Sequence, residues 1–191
     1  MRIIAGTDRG RPLIAPKGDA TRPTADRVRE ALFSMLASRI GSFDGLAVAD
    51  LFAGSGALGF EALSRGAATC LFVEQDRAAL DALRANAAKL GRRIDVRAQS
   101  VLALGPTTAA LDLILMDPPY GTSAGSVALE RMARLGWVND ATWISIETAR
   151  DEVVAVKGFA VNVSRVHGKA RLTLLRREPA TSFIAESADD S

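Results

Sequence analysis

Asp50-Leu51-Phe52-Ala53-Gly54-Ser55-Gly56-Ala57-Leu58-Gly59 links a short apolar run, Leu46–Leu51, to a helix-compatible stretch, Leu58–Ser64. Gly54, Gly56 and Gly59 make a G-x-G-x-x-G pattern in the strand–turn–helix context that gives the pattern meaning. Glycines there let the backbone come close to a bound nucleotide. Glu74 follows at the end of the next apolar run, where a carboxylate can accept hydrogen bonds from both hydroxyls of a ribose. To this point a nicotinamide dinucleotide and other adenosine-bearing cofactors fit equally.

On either side of this turn, apolar runs alternate with helical patterns. Strands are predicted at Leu46–Leu51, Thr69–Val73, Ile94–Ala98, Leu111–Met116 and Trp143–Glu147, with helices at Leu58–Ser64, Arg77–Leu90 and Val127–Leu135. Leu111–Met116 is apolar almost throughout, as a parallel strand covered on both faces requires. Such an alternation implies a Rossmann-like α/β fold with a mostly parallel sheet. Phe159–Val166 and Arg171–Arg176, joined by His167–Ala170, read as a closing antiparallel hairpin. That hairpin distinguishes the seven-stranded class I S-adenosylmethionine-dependent methyltransferase fold from a plain dinucleotide fold. Ahead of the sheet, Arg2–Ile14 reads as two short strands around a glycine turn and Lys17–Pro23 as a loop. A helix capped by Thr24 or Asp26 then runs to Ser38, burying Val28, Leu32, Met35 and Leu36. The expected organisation is one domain over residues 1–178, with 1–25 as an N-terminal extension and 179–191 as an acidic, disordered tail.

Two features favour S-adenosylmethionine over a dinucleotide. Asp50 stands just before the glycine loop, where negative charge suits an ammonium and a sulfonium and would repel a pyrophosphate. Asp117-Pro118-Pro119-Tyr120 directly follows the Leu111–Met116 strand, at the carboxyl end where open α/β sheets place their chemistry. The two prolines fix φ and remove two amide donors, leaving a stiff turn that presents acceptors. The Asp117 side chain and the Pro118 carbonyl can hold both N–H groups of a planar amine, and Tyr120 offers a stacking face worth about 1–3 kcal/mol per base. The reaction expected is an in-line displacement that depends on positioning and on support for charge at nitrogen.

Composition excludes other chemistries. A lone cysteine, Cys70, within an apolar run reads as a small buried residue, and a lone histidine, His167, as a turn residue. A Cys/His zinc site and a disulfide framework are thereby excluded, no metal is expected, and a reducing cytoplasm suits the chain. There is no signal-peptide pattern or apolar run long enough to span a membrane. Arg9, Arg11, Arg22, Arg27 and Arg29 make the first part of the chain basic and are candidate contacts to RNA.

Arg2-Ile-Ile-Ala-Gly6, Gly10-Arg11, Arg22-Pro-Thr-Ala-Asp-Arg-Val-Arg-Glu-Ala-Leu-Phe33, Asp50–Gly59, Glu61–Ala67, Val73–Asp76 and Asp117–Tyr120 occur in this order. Over residues 1–177 the chain resembles the bacterial 16S ribosomal RNA guanine-N2 methyltransferase family usually called RsmD. The resemblance implies methyl transfer from S-adenosylmethionine to the N2 amine of one guanine, in RNA already assembled into the small ribosomal subunit. A cytoplasmic monomer is expected. It implies catalysis at Asp117, Pro118, Pro119 and Tyr120. It also implies a cofactor site bordered by Arg22 and Thr24, lined by Asp50, Phe52, Gly54 and Gly56, with Glu74 and Gln75 at the ribose and Asp117 nearby. For the adenine, such enzymes often carry Asp or Asn after the third strand; here Gln99, Ser100 or the backbone alone fills that place.

Asp-Pro-Pro-Tyr serves adenine and guanine amines alike, so an adenine-N6 DNA or RNA methyltransferase is the first alternative. A nicotinamide-dependent oxidoreductase and a non-catalytic RNA-binding module are the others.

Overall fold

The computed structural model describes residues 1–15 and 23–179. Residues 17–22 of the expected loop, Arg22 among them, and the acidic tail from residue 180 lie outside the described residues.

The first helix, α1 (Pro23–Ile40), leads into an alternating series: β1 (Ala47–Leu51), α2 (Ala57–Ser64), β2 (Thr69–Glu74), α3 (Arg77–Leu90), β3 (Asp95–Ala98), β4 (Leu113–Met116), α4 (Ala124–Arg134) and β5 (Trp143–Ala149). The hairpin β6 (Phe159–His167) and β7 (Ala170–Arg177) closes it. The sheet order is β3-β2-β1-β4-β5-β7-β6. Strands β1 to β5 pair in parallel, while β7 pairs antiparallel with both β5 and β6. The hairpin thus does not simply add to the edge: β7 inserts beside β5 and leaves β6 outermost. Strand order reverses at β1, which has β2 on one side and β4 on the other. Ligands of open α/β sheets bind at such a reversal, beyond the carboxyl ends of the strands. The glycine turn after β1 and Asp117 after β4 therefore emerge side by side.

Alternation along β4 divides the core. Leu113 and Leu115 join a cluster with Leu32, Phe33 and Leu36 of α1, Phe60 of α2 and Leu83 of α3. Ile114 and Met116 face the other way, against Leu129 and Met132 of α4. All four are at most 1% exposed, which is why the run carries no polar residue. The expected apolar face of α1 is buried, with Phe33 added to it. Local signals set α3: Asp76 caps its start, accepting from Ala79 N at 2.8 Å, and Gly91 ends it in the left-handed region.

Two expectations at the N-terminus differ. Helix α1 begins at Pro23, so Thr24 and Asp26 lie inside it rather than capping it. Proline's fixed φ suits the first helical position, and Asp26 instead accepts from Arg29 Nη2 at 3.0 Å. The two strands expected over Arg2–Ile14 reduce to one antiparallel bridge, Arg2 with Pro12. Within the arm, Ile3 N donates to the Arg11 carbonyl and Leu13 N to the Met1 carbonyl, and helix α2 takes up further groups. Glu61 accepts from Ile4 N at 2.7 Å and Ala5 N at 3.1 Å. The Ser64 carbonyl accepts from Thr7 N at 2.8 Å, and its hydroxyl accepts from Asp8 N at 2.9 Å.

Glu61 is fully buried and also accepts from Arg65 Nε at 2.8 Å, with Arg29 Nε 3.9 Å away. Removing it would strand two amides and take the buried counter-charge from Arg65 and Arg29. Glu61→Ala should therefore lower stability by about 3–5 kcal/mol, the usual cost of breaking a buried charge pair from one side. Denaturant unfolding checks this, and Glu61→Gln, which keeps an acceptor, should cost less.

Candidate active site

The turn after β1 is held from two sides. Asp50 is buried beneath it and accepts from Gly59 N at 2.8 Å, tying the end of β1 to the first turn of α2. Gly54 N donates to Glu74 Oε2 at 2.8 Å, tying the turn to the end of β2. The glycines serve different ends. A Cβ on Gly59 would overlap the Phe72 ring and stand 2.7 Å from Cys70 Sγ, so this glycine lets α2 lie close on β2. A Cβ on Gly54 would meet nothing, but its φ of +54° favours glycine. Phe52 adopts φ +65°, a left-handed conformation rare for a bulky side chain and characteristic of functional sites.

A cavity of about 540 Å³ opens beside this turn, lined by Phe52, Val73–Asp76, Gln99–Val101 and Asp117–Tyr120. Five expected cofactor residues, Phe52, Glu74, Gln75, Gln99 and Ser100, meet there with the whole Asp117–Tyr120 motif. Gly54 reaches it through its bond to Glu74, and Gly56 packs against Phe60 and Leu83 instead. Asp50 is not in the wall but under the turn. Arg22 lies outside the described residues, as does the Thr24 side chain.

Glu74 also accepts from Gln75 N and Asp76 N, both at 2.7 Å. Three of a carboxylate's roughly four acceptor sites are thus taken, so the strand end is preorganised with capacity for one further donor. Ser100 also accepts from the backbone N–H of Leu102 at 3.2 Å, while Gln99 shows no side-chain bond among the described residues.

Burial pushes the Asp50 carboxyl well above its ordinary range. The Gly59 N–H works against this, and the neighbouring Asp117 and Glu74 carboxylates add to it. Glu74 and Asp117 in the cavity wall, with Asp50 buried beneath the turn, favour a cationic ligand and oppose a pyrophosphate. On these groups S-adenosylmethionine fits and a dinucleotide does not.

The motif at the end of β4 separates this cavity from a second, of about 570 Å³. Asp117 and Tyr120 line both. Met1, Ala25, Val28, Arg29, Leu58, Glu147 and the β6–β7 turn from His167 to Ala170 complete the second. Pro118 is buried, and Tyr120 is 47% exposed. The Tyr120 hydroxyl donates to Glu147 Oε1 at 2.6 Å. Burial, then that carboxylate partner, push the Tyr120 hydroxyl far above its usual range, so it remains a donor. Burial raises the Glu147 carboxyl and the Tyr120 bond partly offsets this.

Nothing in the local sequence marks Glu147, which reads as the end of a strand. His167 also proves to be more than a turn residue, since the insertion of β7 beside β5 brings it into the cavity wall. Cys70 is buried in β2 and its thiol is pushed up by burial, as an inert core residue requires.

The arginines divide into two groups. Arg29 is 4% exposed, and its guanidinium bonds the Arg2 carbonyl and Asp26, so its charge is engaged inside the chain. Arg11 bonds Asp8 and the Leu90 and Lys89 carbonyls, closing the end of α3, so most of its fork is engaged inside the chain. Arg9 and Arg27 are exposed and share a cavity of about 480 Å³ with Arg2, a further cation that only the fold places beside them. Among the described residues no group of three or more acids, histidines or cysteines could hold a metal, and no helix is long and apolar enough to cross a membrane.

Residues 1–176 match the family described as Conserved hypothetical protein 95. The ribosomal RNA small subunit methyltransferase D of Escherichia coli strain K12 is 36% identical over 184 residues, 93% of this chain and 90% of that protein. Its namesake from Haemophilus influenzae is 35% identical over 158 residues, 80% of each chain. The solved structure of yhhF from Escherichia coli superposes with a TM-score of 0.80 at 35% identity, covering 93% of this chain and 98% of that one. Magnesium protoporphyrin IX methyltransferase from Synechocystis PCC 6803, solved with S-adenosylmethionine bound, has a TM-score of 0.66 at 15% identity over 84% of this chain and 87% of its own, and shares the fold. The chain belongs to the Conserved hypothetical protein 95 family, together with the ribosomal RNA small subunit methyltransferases D.

Proposed function

We propose that this protein transfers a methyl group from S-adenosylmethionine to the exocyclic N2 amine of a guanine in small-subunit ribosomal RNA. The observation that carries this reading is the pair of cavities meeting at Asp117 and Tyr120. A transfer between two ligands needs that arrangement: one cavity for each, with the acceptors for the reacting amine on the boundary. The names of the relatives supply the RNA, and the N-terminal signature supplies guanine over adenine.

S-adenosylmethionine supplies an electrophilic methyl group on a sulfonium. Every other part of the work falls to the chain. Glu74 takes a ribose hydroxyl at its remaining acceptor site, Gln99 or Ser100 faces the adenine, and Asp50 with Asp117 sets the negative potential at the methionine end. Asp117 and the Pro118 carbonyl each accept one N–H of the guanine amine, which turns the nitrogen lone pair toward the methyl. The Pro118–Pro119 turn keeps those acceptors fixed, so little reorganisation is required as charge grows on nitrogen. Tyr120 stacks on the base once it has left its own stack. No strong base is required, because the amine becomes strongly acidic as the new bond forms. Arg2, Arg9 and Arg27 hold phosphates of an RNA in the bacterial cytoplasm, and the subunit being assembled is the form of substrate inferred.

The decisive experiment follows transfer of radiolabel from S-adenosylmethionine to small subunits taken from a strain lacking this gene. Label is expected in N2-methylguanosine, with Asp117→Ala slower by about 10²–10³-fold, as when one preorganised group is removed from a developing charge. Label in N6-methyladenosine would move the target to adenine, and no label on any RNA would overturn the reading. Asp50→Asn keeps the acceptor for Gly59 N while removing a buried charge. It should raise Tm by about 2–4 °C at neutral pH, what ~1 kcal/mol is worth in a chain of this size, yet weaken cofactor binding. The sign follows from a folded carboxyl raised above its unfolded value, which is stabilising at low pH and loses that contribution as pH rises through the raised value. The Tm difference between Asp50→Asn and the wild type should therefore shrink as pH falls. Reversing Arg9 and Arg27 to Glu should weaken RNA binding and flatten its salt dependence by ~0.7–0.9 in log–log slope for each phosphate no longer neutralised. The same change at Arg11 should instead lower Tm.

A further inference from the structure

Asp117 and Pro118 hold an amine, and both guanine and adenine have one, so the base must be told apart elsewhere. The group placed to do so is Glu147. It belongs to β5, the neighbour of β4, and lines the second cavity together with Asp117 and Tyr120. Tyr120 donates to its Oε1 at 2.6 Å, which fixes the carboxylate beside the stacking ring. Among the described residues, Oε2 takes no hydrogen bond. The cavity therefore offers one more anchored acceptor next to the amine acceptors. The apolar side chains of Met1, Val28 and Leu58 line its wall as a surface for a base.

The two purines differ at this point. Guanine carries an N1–H donor next to its 2-amino group, so a second acceptor beside Asp117 completes the match. Adenine carries a bare N1 lone pair next to its 6-amino group, and a carboxylate facing it meets acceptor with acceptor. Enzymes that read an extruded base do so through this edge.

We propose that Glu147 is the specificity-determining residue, accepting the guanine N1–H through its second carboxylate oxygen while Tyr120 holds the first. This rests on the reading that the second cavity takes the target base with its amine at Asp117. Glu147 removes no proton and forms no bond to the methyl group; it selects and orients.

The test compares guanine with 2-aminopurine at the methylated nucleotide of reconstituted small subunits, using the full chain. 2-Aminopurine keeps the 2-amino group and replaces N1–H by a lone pair. Wild type should prefer guanine by on the order of 10²-fold in kcat/KM, less than in a fully closed site that hydrogen-bonds its substrate. In Glu147→Gln, whose amide can face the base with either oxygen or N–H, the preference should fall below about 10-fold, with cofactor binding retained. A residue that merely supports the fold would slow both substrates alike and leave the ratio untouched, and that result would overturn the proposal. Should the Gln variant fail to fold, Glu147→Asp, which draws the same acceptor back from the base, replaces it with the same expected fall in the ratio, and equal wild-type rates on the two bases would overturn the proposal directly. Wild type inactive on both RNAs would sink the proposed function itself, whereas an active wild type with an unmoved ratio in Glu147→Gln would sink only this assignment.

Discussion

The structure depends on a carboxylate kept out of water. Asp50 closes β1, lies beneath the turn and holds the Gly59 amide, so the first turn of α2 is pinned to the central strand. Gly59 has no side chain, so α2 settles onto Phe72 and Cys70. Gly54 is then drawn to Glu74, and Phe52 is left in an unfavourable conformation at the cavity wall. A less polar turn would fold more readily. It would also lack the converging acids that suit a cationic cofactor. Local strain and buried charge are tolerated here because the surrounding sheet fixes the positions of every participant.

The N-terminal arm is shaped by the same demand that buried polar groups find partners. It is too short to build a sheet of its own, and Pro12 has no amide to give. Some of its amides bond carbonyls within the arm, and those of Ile4, Ala5, Thr7 and Asp8 go to Glu61 and Ser64. Glu61 thus joins three elements at once: the arm, α1 through Arg29, and its own helix through Arg65. This explains why a region rich in arginine presents fewer free cations than its composition suggests. Asp8 shows the same balance. Burial alone would raise its carboxyl, but Arg92 and Arg11 outweigh that and hold it below its ordinary value.

Much of this was legible in the chain because the relevant signals are local. Five apolar runs became five parallel strands, Arg77–Leu90 became a helix with those ends, and Asp117–Tyr120 followed its strand. Asp76 and Gly91 mark the limits of α3 without help from tertiary structure. What was not legible depends on distant parts of the chain. The Tyr120–Glu147 bond joins the turn after β4 to the neighbouring strand β5, across 27 positions, and no spacing rule foretells it. His167 looked like a turn because the insertion of β7 beside β5 cannot be read from a hairpin alone. Arg29 looked like a surface cation because its partners, Glu61 and the Arg2 carbonyl, are met only after folding. Among the arginines, charge was visible in the sequence but burial was not.

The two cavities also differ in when a growing chain can make them. Walls of the first come from residues 52 to 120, whereas the second takes walls from Met1 and from Ala170. Loop closure across nearly the whole chain must therefore precede it. During synthesis, the first cavity has all its residues long before the β6–β7 turn leaves the translation machinery. The second is finished only when β7 slots between β5 and β6. A truncated product ending before that strand would hold every residue that lines the first cavity and lack the second.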